Sequence, residues 1–282
     1  LRFASRYASP FTRVYIETVQ TEWPVEEILT EINQAGIALV TLNRATKRNA
    51  VSRAMWMRLG PLFTELGERD DVKAIVLTGA GGHFSAGADI SEFAAIRDTA
   101  EDIAAYEKAG HDAAAGIRDC PKPTIAAVHG FGVGGGCALA LACDLRVGDP
   151  TTRMGIPAAK RGIVYSEIDT ELLLRQVGLS RAKLVLYSAK LFAAAECQAM
   201  GLIDILAEEA LPAAFAEAQT LAANAPLSIS GAKLLLEALV RGRLYEEAGR
   251  IQAAMQRAVS SDDYREATTS FMEKRPARFT GR

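Results

Sequence analysis

Ser85-Ala86-Gly87-Ala88-Asp89-Ile90 and, further on, Gly130-Phe131-Gly132-Val133-Gly134-Gly135-Gly136-Cys137 are the stretches whose reading decides the fold. Each is a tight, glycine-bearing turn. Gly134-Gly135-Gly136 stands between a β-rich run, Thr124–Val128, and a short apolar helical run, Ala138–Cys143. Glycine permits both the tight turn and the close approach of a ligand to the backbone. The first N–H groups of a helix have no intrahelical acceptor and lie at the positive end of its dipole. One such N–H, joined by a second from Ala86-Gly87-Ala88-Asp89, stabilises a developing oxyanion without reorganising.

Outward from these turns the chain reads as repeated strand–strand–helix units. Ile28–Ile32 and Ile37–Leu42, separated by Asn33-Gln34-Ala35-Gly36, read as a hairpin. Ser52 caps a helix running to about Glu68, with Met55, Leu59 and Leu62 on one stripe. Ala74–Thr78 is a buried strand. Thr124–Val128, the glycine turn, Ala138–Cys143 and Leu145–Val147 repeat the unit. Phe93–Ile117 is alanine-rich and helical in pattern, suited to a pocket wall. Beyond Ala158 the spacing predicts helices at Glu167–Val177, Arg181–Tyr187, Ala193–Met200, Pro212–Asn224, Leu227–Val240, Leu244–Ala258 and Asp262–Arg275, with Ser260 or Ser261 capping the last. The expected division is an N-terminal extension over 1–24, a core over 25–205 and a helical oligomerisation segment over 206–282.

The 282 residues suffice for one substantial core. A net charge of −2 argues against nucleic-acid or membrane-surface partners. No apolar run is long enough to span a bilayer. Leu1 to Thr21 lacks the apolar core of a secretory signal. Cys120, Cys137, Cys143 and Cys197 show no CxxC spacing, so a reducing, cytoplasmic setting is expected. His83, His111 and His129 are not at metal-ligand spacings, and no metal is expected. Cys137 adjoins the glycine turn but has no histidine partner pattern that would make it a nucleophile.

With Leu39-Val40-Thr41-Leu42-Asn43-Arg44 and Lys47-Arg48-Asn49-Ala50 ahead of the two turns, and Phe271–Arg282 behind them, the chain from about Ile37 resembles the crotonase (enoyl-CoA hydratase/isomerase) superfamily. The resemblance implies an α/β fold, the crotonase (ClpP-like) spiral of ββα units with a C-terminal helical domain. It implies a homotrimer or dimer of trimers, an acyl-CoA thioester as substrate, and no cofactor, since CoA enters as part of the substrate. Carried over by position, the amides of Ala88 and Gly135 form the oxyanion hole. Arg48 and Ala50 lie along the CoA nucleotide, and Ala86 and Ile90 frame its adenine and pantetheine. Phe271 and Lys274 belong to a closing motif that often reaches CoA across a subunit boundary.

Two departures bear on the reaction. Ala138 and Ala158 stand where the hydratases of the resembled family carry glutamates. A methyl group can neither take a proton nor hold a water. The stretch after Ala158 contains Tyr165, Glu167, Asp169 and Glu171. A helix starting near Ser166 places Glu167 and Glu171 on one face and turns Asp169 away. Glu167 is expected as the base, because peroxisomal-type enoyl-CoA isomerases place theirs within one residue of this position. Tyr165 has a parallel in decarboxylases of the superfamily. The expected function is an enoyl-CoA isomerase or atypical enoyl-CoA hydratase. The alternatives are an acyl-CoA decarboxylase, a CoA-thioester or C–C hydrolase, or a non-catalytic acyl-CoA-binding protein.

Overall fold

The computed structural model describes residues 11–13, 27–92 and 99–282. Most of the extension expected over 1–24, and the start of the Phe93–Ile117 segment, lie outside the described residues. Phe11–Arg13 (β1) runs antiparallel to Ile28–Asn33 (β2). β2 continues as the expected hairpin into Ile37–Leu42 (β3). Asn33 builds that turn: its Oδ1 accepts from the N–H groups of Ala35 at 3.0 Å and Ile37 at 2.9 Å. Gly36 supplies the positive φ of 78°.

From β3 the main sheet proceeds in parallel through Ala74–Gly79 (β4), Thr124–Val128 (β5), Leu145–Gly148 (β7) and Ile205–Leu206 (β10). Every residue of β4 and β5 is buried, as befits parallel strands covered on both faces. A second sheet of three strands joins Phe131–Val133 (β6), Arg153–Gly155 (β8) and Phe192–Ala193 (β9).

One face of the main sheet is covered by Arg53–Glu68 (α1), Ala100–Asp119 (α2), Gly135–Ala142 (α3) and Glu167–Ser188 (α4), which share one apolar core with it. Ser52 caps α1 as expected, its side chain accepting from Met55 N–H at 3.1 Å. The opposite face carries a single stripe of small residues. Ala210, Ala214, Ala218 and Ala222 of Ala210–Ala222 (α6) lie on Ile37, Ala74, Val76, Ile125, Ala127 and Val147. The i,i+4 alanine spacing lets that helix lie close to the strands. The first helix after residue 206 thus completes the core rather than standing apart from it. Ala194–Met200 (α5), Pro226–Val240 (α7), Leu244–Ser260 (α8) and Asp262–Glu273 (α9) make up the remaining helices. Of the two candidate caps for α9, Ser261 is the one used, accepting from Tyr264 N–H.

The expected helices 167–177 and 181–187 are both present, the two halves of α4, separated at Gly178, whose φ of 74° and ψ of 167° are not helical. The N-terminal half is tied to the sheet through Arg146, which is 1% exposed, pairs with Asp204 at 2.6 Å and donates to Gln176 at 3.0 Å.

The packing of α1 on α2 depends on backbone-to-backbone contact. A Cβ on Gly116 would lie 2.6 Å from the Cα of Gly60, and one on Gly60 the same distance from the carbonyl oxygen of Asp112. Gly110, also in α2, has nothing within 4 Å of the corresponding position. Alanine at these two sites should therefore act in opposite directions. Gly116→Ala is expected to lower the unfolding free energy by about 1–3 kcal/mol through overpacking, while Gly110→Ala should raise it by about 0.5–1 kcal/mol through helix propensity. Urea unfolding of the two variants checks both signs.

Candidate active site

The two glycine turns meet because the chain around Ser85 is clipped to β6. Phe84 N–H donates to His129 O at 2.8 Å, Ser85 N–H to Phe131 O at 2.7 Å, and Val133 N–H to Ser85 O at 3.0 Å. No side chain fits between them. A Cβ on Gly87 (φ 92°) would lie 2.6 Å from Val133 O and 3.2 Å from Gly135 N, and one on Gly136 would strike Ser85 at 2.7 Å.

The same clip orients two amides. Val51 N–H donates to Gly87 O at 2.8 Å, and Asp89 N–H to Val51 O at 2.9 Å. Those bonds use the groups on either side of Ala88, so its own N–H faces the other way. Gly135 opens α3, where its N–H has no helical acceptor. A Cβ on Gly135 would lie 3.5 Å from Ala88 N, which places the two amides side by side. Among the described residues neither N–H has a hydrogen-bond acceptor.

Both amides border a cavity of about 400 Å³. Trp56 of α1 and Tyr106 of α2 form one wall, locked together by a bond of 3.0 Å from the Trp56 indole N–H to the Tyr106 hydroxyl. Glu107, Gly110 and Ala114 extend that wall, so the described part of the alanine-rich segment does line the pocket. Ala138 and Ala158 also line the cavity, with methyl groups. Tyr165 and Asp169 complete it, together with Ser166.

The titratable groups here are perturbed by burial. The Tyr165 hydroxyl is buried without a hydrogen-bond partner among the described residues. Burial first, then the nearby Asp169 and Cys137, push its pKa well above the usual tyrosine value. Burial also raises the pKa of Asp169, against a hydrogen bond from Ser166 and the nearby His111, which pull it down. Ser166 caps α4: its Oγ accepts from Asp169 N–H at 3.2 Å and donates to Asp169 Oδ2 at 2.7 Å. Cys137 is fully buried and burial drives its thiol far up, so it carries no thiolate.

Glu167, expected as the base, is exposed and lies outside the cavity lining. Glu171 accepts from Arg175 at 2.6 Å, and Arg175 continues to Glu237 at 2.9 Å, an arrangement that ties α4 to α7. The helix starts where expected, and Glu167 and Glu171 are separated from Asp169 as expected. It is the Asp169 side that turns toward the cavity.

Of the positions expected along CoA, Ala86 and Ile90 line the cavity, with Ile90 47% exposed at its rim. Arg48 is exposed at φ 51°, its guanidinium 5.5 Å from the centre of the Phe131 ring. Ala50 is half-buried beside it, and its carbonyl accepts from Arg44 at 2.7 Å. Phe271 and Lys274 are exposed at the C-terminal end and do not line the cavity.

Three features of the loop were not anticipated. Asn49, fully buried at φ 54°, donates to Ala80 O and His83 O and accepts from Arg44 N–H. Asp89 is gripped by Arg44 at 2.9 Å and Lys47 at 2.8 Å. Burial opposes its charge, but the bonds from Lys47, Ser91 and Arg44 win and hold its carboxyl well below the usual carboxylate range. His83 stacks on Phe131 with centroids 4.6 Å apart and accepts from Phe131 N–H. Among the described residues no cluster of His, Cys, Asp or Glu could hold a metal ion.

A raised folded-state pKa at Asp169 means that ionisation there opposes folding. The penalty is absent below the unfolded carboxyl value and is fully present once pH exceeds the folded one. Asp169→Asn removes it while keeping an acceptor for Ser166. The variant should melt above the wild type at pH 8, with the gap closing as pH falls toward the ordinary carboxyl range. Melting scans across pH test this.

Comparison with known proteins agrees with the geometry. The enoyl-CoA hydratase/isomerase family profile matches residues 32–282. A Thermus thermophilus protein assigned as an enoyl-CoA hydratase is 37% identical over 89% of this chain and 100% of its own length. The mitochondrial methylglutaconyl-CoA hydratase of Mus musculus is 32% identical over 95% of this chain and 87% of its own length. A crystal structure of an enoyl-CoA hydratase/isomerase family protein from Hyphomonas neptunium superposes with a TM-score of 0.86 at 36% identity, covering 91% of this chain and 98% of the other. Fold, the paired turns and kinship over most of the chain agree, and the protein belongs to the enoyl-CoA hydratase/isomerase family of crotonase-fold acyl-CoA enzymes.

Proposed function

We propose that the cavity holds an acyl-CoA thioester with its carbonyl oxygen between the amides of Ala88 and Gly135. The protein then moves a proton on the resulting enolate, as an enoyl-CoA isomerase or atypical hydratase. The observation that carries this reading is the pair of adjacent, unbonded amides at the cavity wall. When an α-proton leaves a thioester, negative charge gathers on the carbonyl oxygen. Donors already aimed there stabilise it at no further cost in reorganisation.

Water addition across a double bond requires a base for the water and an acid for the carbon. Isomerisation requires one group that takes a proton and returns it. Ala138 and Ala158 offer the cavity neither acid nor base, which supports the one-proton chemistry. A second reading has one observation in its favour. Loss of CO₂ from a malonyl-type thioester generates the enolate without a base, and the unpartnered Tyr165 hydroxyl could then act on the product carbanion.

The positions of Phe271 and Lys274 support assembly into a trimer or dimer of trimers, in which a neighbouring copy brings them to CoA. The C-terminal helices leave the large apolar side chains of Leu236, Val240 and Val259 exposed, at 60%, 59% and 62%. Light scattering at micromolar concentration should show a trimer or hexamer, and a monomer would count against this arrangement.

The oxyanion assignment is tested by a matched pair of variants. Gly135→Ala keeps the N–H but adds a Cβ against Trp56. Gly135→Pro adds the same atom and deletes the N–H. Turnover should be about 10²–10³-fold lower in the proline variant than in the alanine variant. Equal turnover in the two would place the oxyanion elsewhere. The reaction itself is read by mass spectrometry and chromatography after incubation with crotonyl-, 3-hexenoyl- and methylmalonyl-CoA. Conversion of 3-hexenoyl-CoA to the 2-enoyl ester is the expected result, and loss of CO₂ from methylmalonyl-CoA would favour the second reading.

A further inference from the structure

We propose that Asp169, on the first turn of α4, is the catalytic residue that takes and returns the substrate proton, with the hydroxyl of Tyr165 beside it in the same wall. The assignment rests on the acyl-CoA reading above and deepens it.

The ordinary explanation for an aspartate three residues after a helix-capping serine is the cap itself, and the protein contains a control for that. At the start of α2, Thr99 Oγ1 accepts from Asp102 N–H at 3.0 Å and donates to Asp102 Oδ2 at 2.8 Å. At the start of α4, Ser166 makes the same two bonds to Asp169. Both caps are open to solvent and serve their helices equally well, but only Asp169 also lines the cavity. Capping alone therefore gives no reason for the second carboxyl to face a cavity that also holds the oxyanion amides. Ser166 engages Oδ2 only, and Oδ1 has no protein partner among the described residues. The serine fixes the orientation of the carboxyl and leaves one oxygen uncommitted.

The second, independent observation is Tyr165. Its hydroxyl is buried, lacks a hydrogen-bond partner among the described residues, and is close enough to Asp169 to feel its charge. A buried, unpaired hydroxyl costs stability unless something completes it. A ligand atom entering the cavity would do so. The competing carboxylates fit worse. Glu107 borders the cavity but is exposed, and Glu167 lies outside it. Burial also raises the pKa of Asp169, which makes its carboxylate a stronger base than an exposed one. The groups around it are Tyr165 and Ser166 on its own segment, Arg161 in the turn before, Glu107 and His111 on α2, and Cys137 on α3.

For a 3-enoyl thioester the step balances as follows. The C2–H bond breaks and the proton goes to Asp169 Oδ1. The bonding pair becomes the C1–C2 π bond, and the carbonyl oxygen takes the charge facing the Ala88 and Gly135 amides. The enolate pair then returns, the double bond shifts from C3–C4 to C2–C3, and Asp169 delivers its proton to C4. Nothing is oxidised or reduced, and the carboxylate is regenerated.

The test follows proton removal directly. The full-length protein is incubated with 3-hexenoyl-CoA in D₂O, and deuterium incorporation and double-bond migration are followed by mass spectrometry and NMR. Acetoacetyl-CoA affinity is measured alongside by calorimetry. Asp169→Asn is expected to lower the exchange rate by about 10²–10⁴-fold with acetoacetyl-CoA affinity within a few fold of wild type. Glu167→Gln should exchange as wild type does. Asp169→Glu should recover part of the loss, with an acid limb in its pH–rate profile shifted from that of the wild type. Retained exchange in Asp169→Asn, or its loss in Glu167→Gln, overturns the assignment. A wild-type protein that binds acetoacetyl-CoA but exchanges no proton overturns it too, while leaving acyl-CoA binding intact. A wild-type protein that binds no CoA ester removes the acyl-CoA reading itself, and the assignment with it.

Discussion

The backbone clip between residues 84–85 and 129–133 is the constraint on which the rest of the site depends. Its three hydrogen bonds join the loop after β4 to the strand that leads into α3. Backbone amides and carbonyls are held apart by bonds of about 3 Å, far closer than side chains would allow. That is why Gly87 and Gly136 carry no Cβ: each would collide with the opposite segment. Once the clip closes, the Ala88 and Gly135 amides face one another's neighbourhood with no freedom left to choose. Such fixed donors are what an oxyanion needs, because their dipoles are already oriented before charge develops.

The clip is held from outside by polar groups as well as by the buried Phe84 of the apolar core. Asn49 takes a left-handed backbone conformation to bond both ends of the loop after β4, and Ser85 donates its hydroxyl to Asn49 O at 2.8 Å while accepting from Gly87 N–H. The Arg44–Asp89–Lys47 cluster closes the other end. Among the described residues no buried side-chain nitrogen or oxygen of this network lacks a partner, which is the condition under which a buried polar network rigidifies a structure. The cavity behaves in the opposite way. There, among the described residues, Tyr165 keeps an unpaired hydroxyl and Asp169 a carboxyl oxygen without a partner. A fold that satisfies its polar groups so thoroughly on one side of two amides, and leaves them open on the other, locates its chemistry on the open side.

Much of this was legible in the chain. Asn33 and Gly36 mark the hairpin, Ser52 and Ser261 mark helix starts, and the run Gly134-Gly135-Gly136 marks the opening of α3, because each of these signals is local: a side chain or a glycine acting within a few residues of itself. The break in α4 at Gly178 was visible as a gap between two helices, and the structure places a non-helical residue there. The role of α6 was not legible as part of the core. Its alanine stripe is too weakly apolar to reveal that it seals the far face of the sheet, and small residues there matter only because the strands come close.

What the sequence by itself determined is the pair of glycine turns and the start of α4, since periodicity, capping and glycine spacing are properties of consecutive residues; the fold family followed from the resemblance of its motifs. It also determined that Asp169 lies on a different face from Glu167 and Glu171, because the helical repeat allows nothing else. Which of those faces meets the cavity was decided only by tertiary structure. The Arg175–Glu237 pair and the burial of Ile168 and Leu172 set the rotation of α4 about its axis, and that rotation sends Glu167 to solvent and Asp169 inward. Helix phase is local, but the azimuth of a helix on its neighbours is the sum of contacts with residues far away in the chain, and no pattern within the helix encodes it.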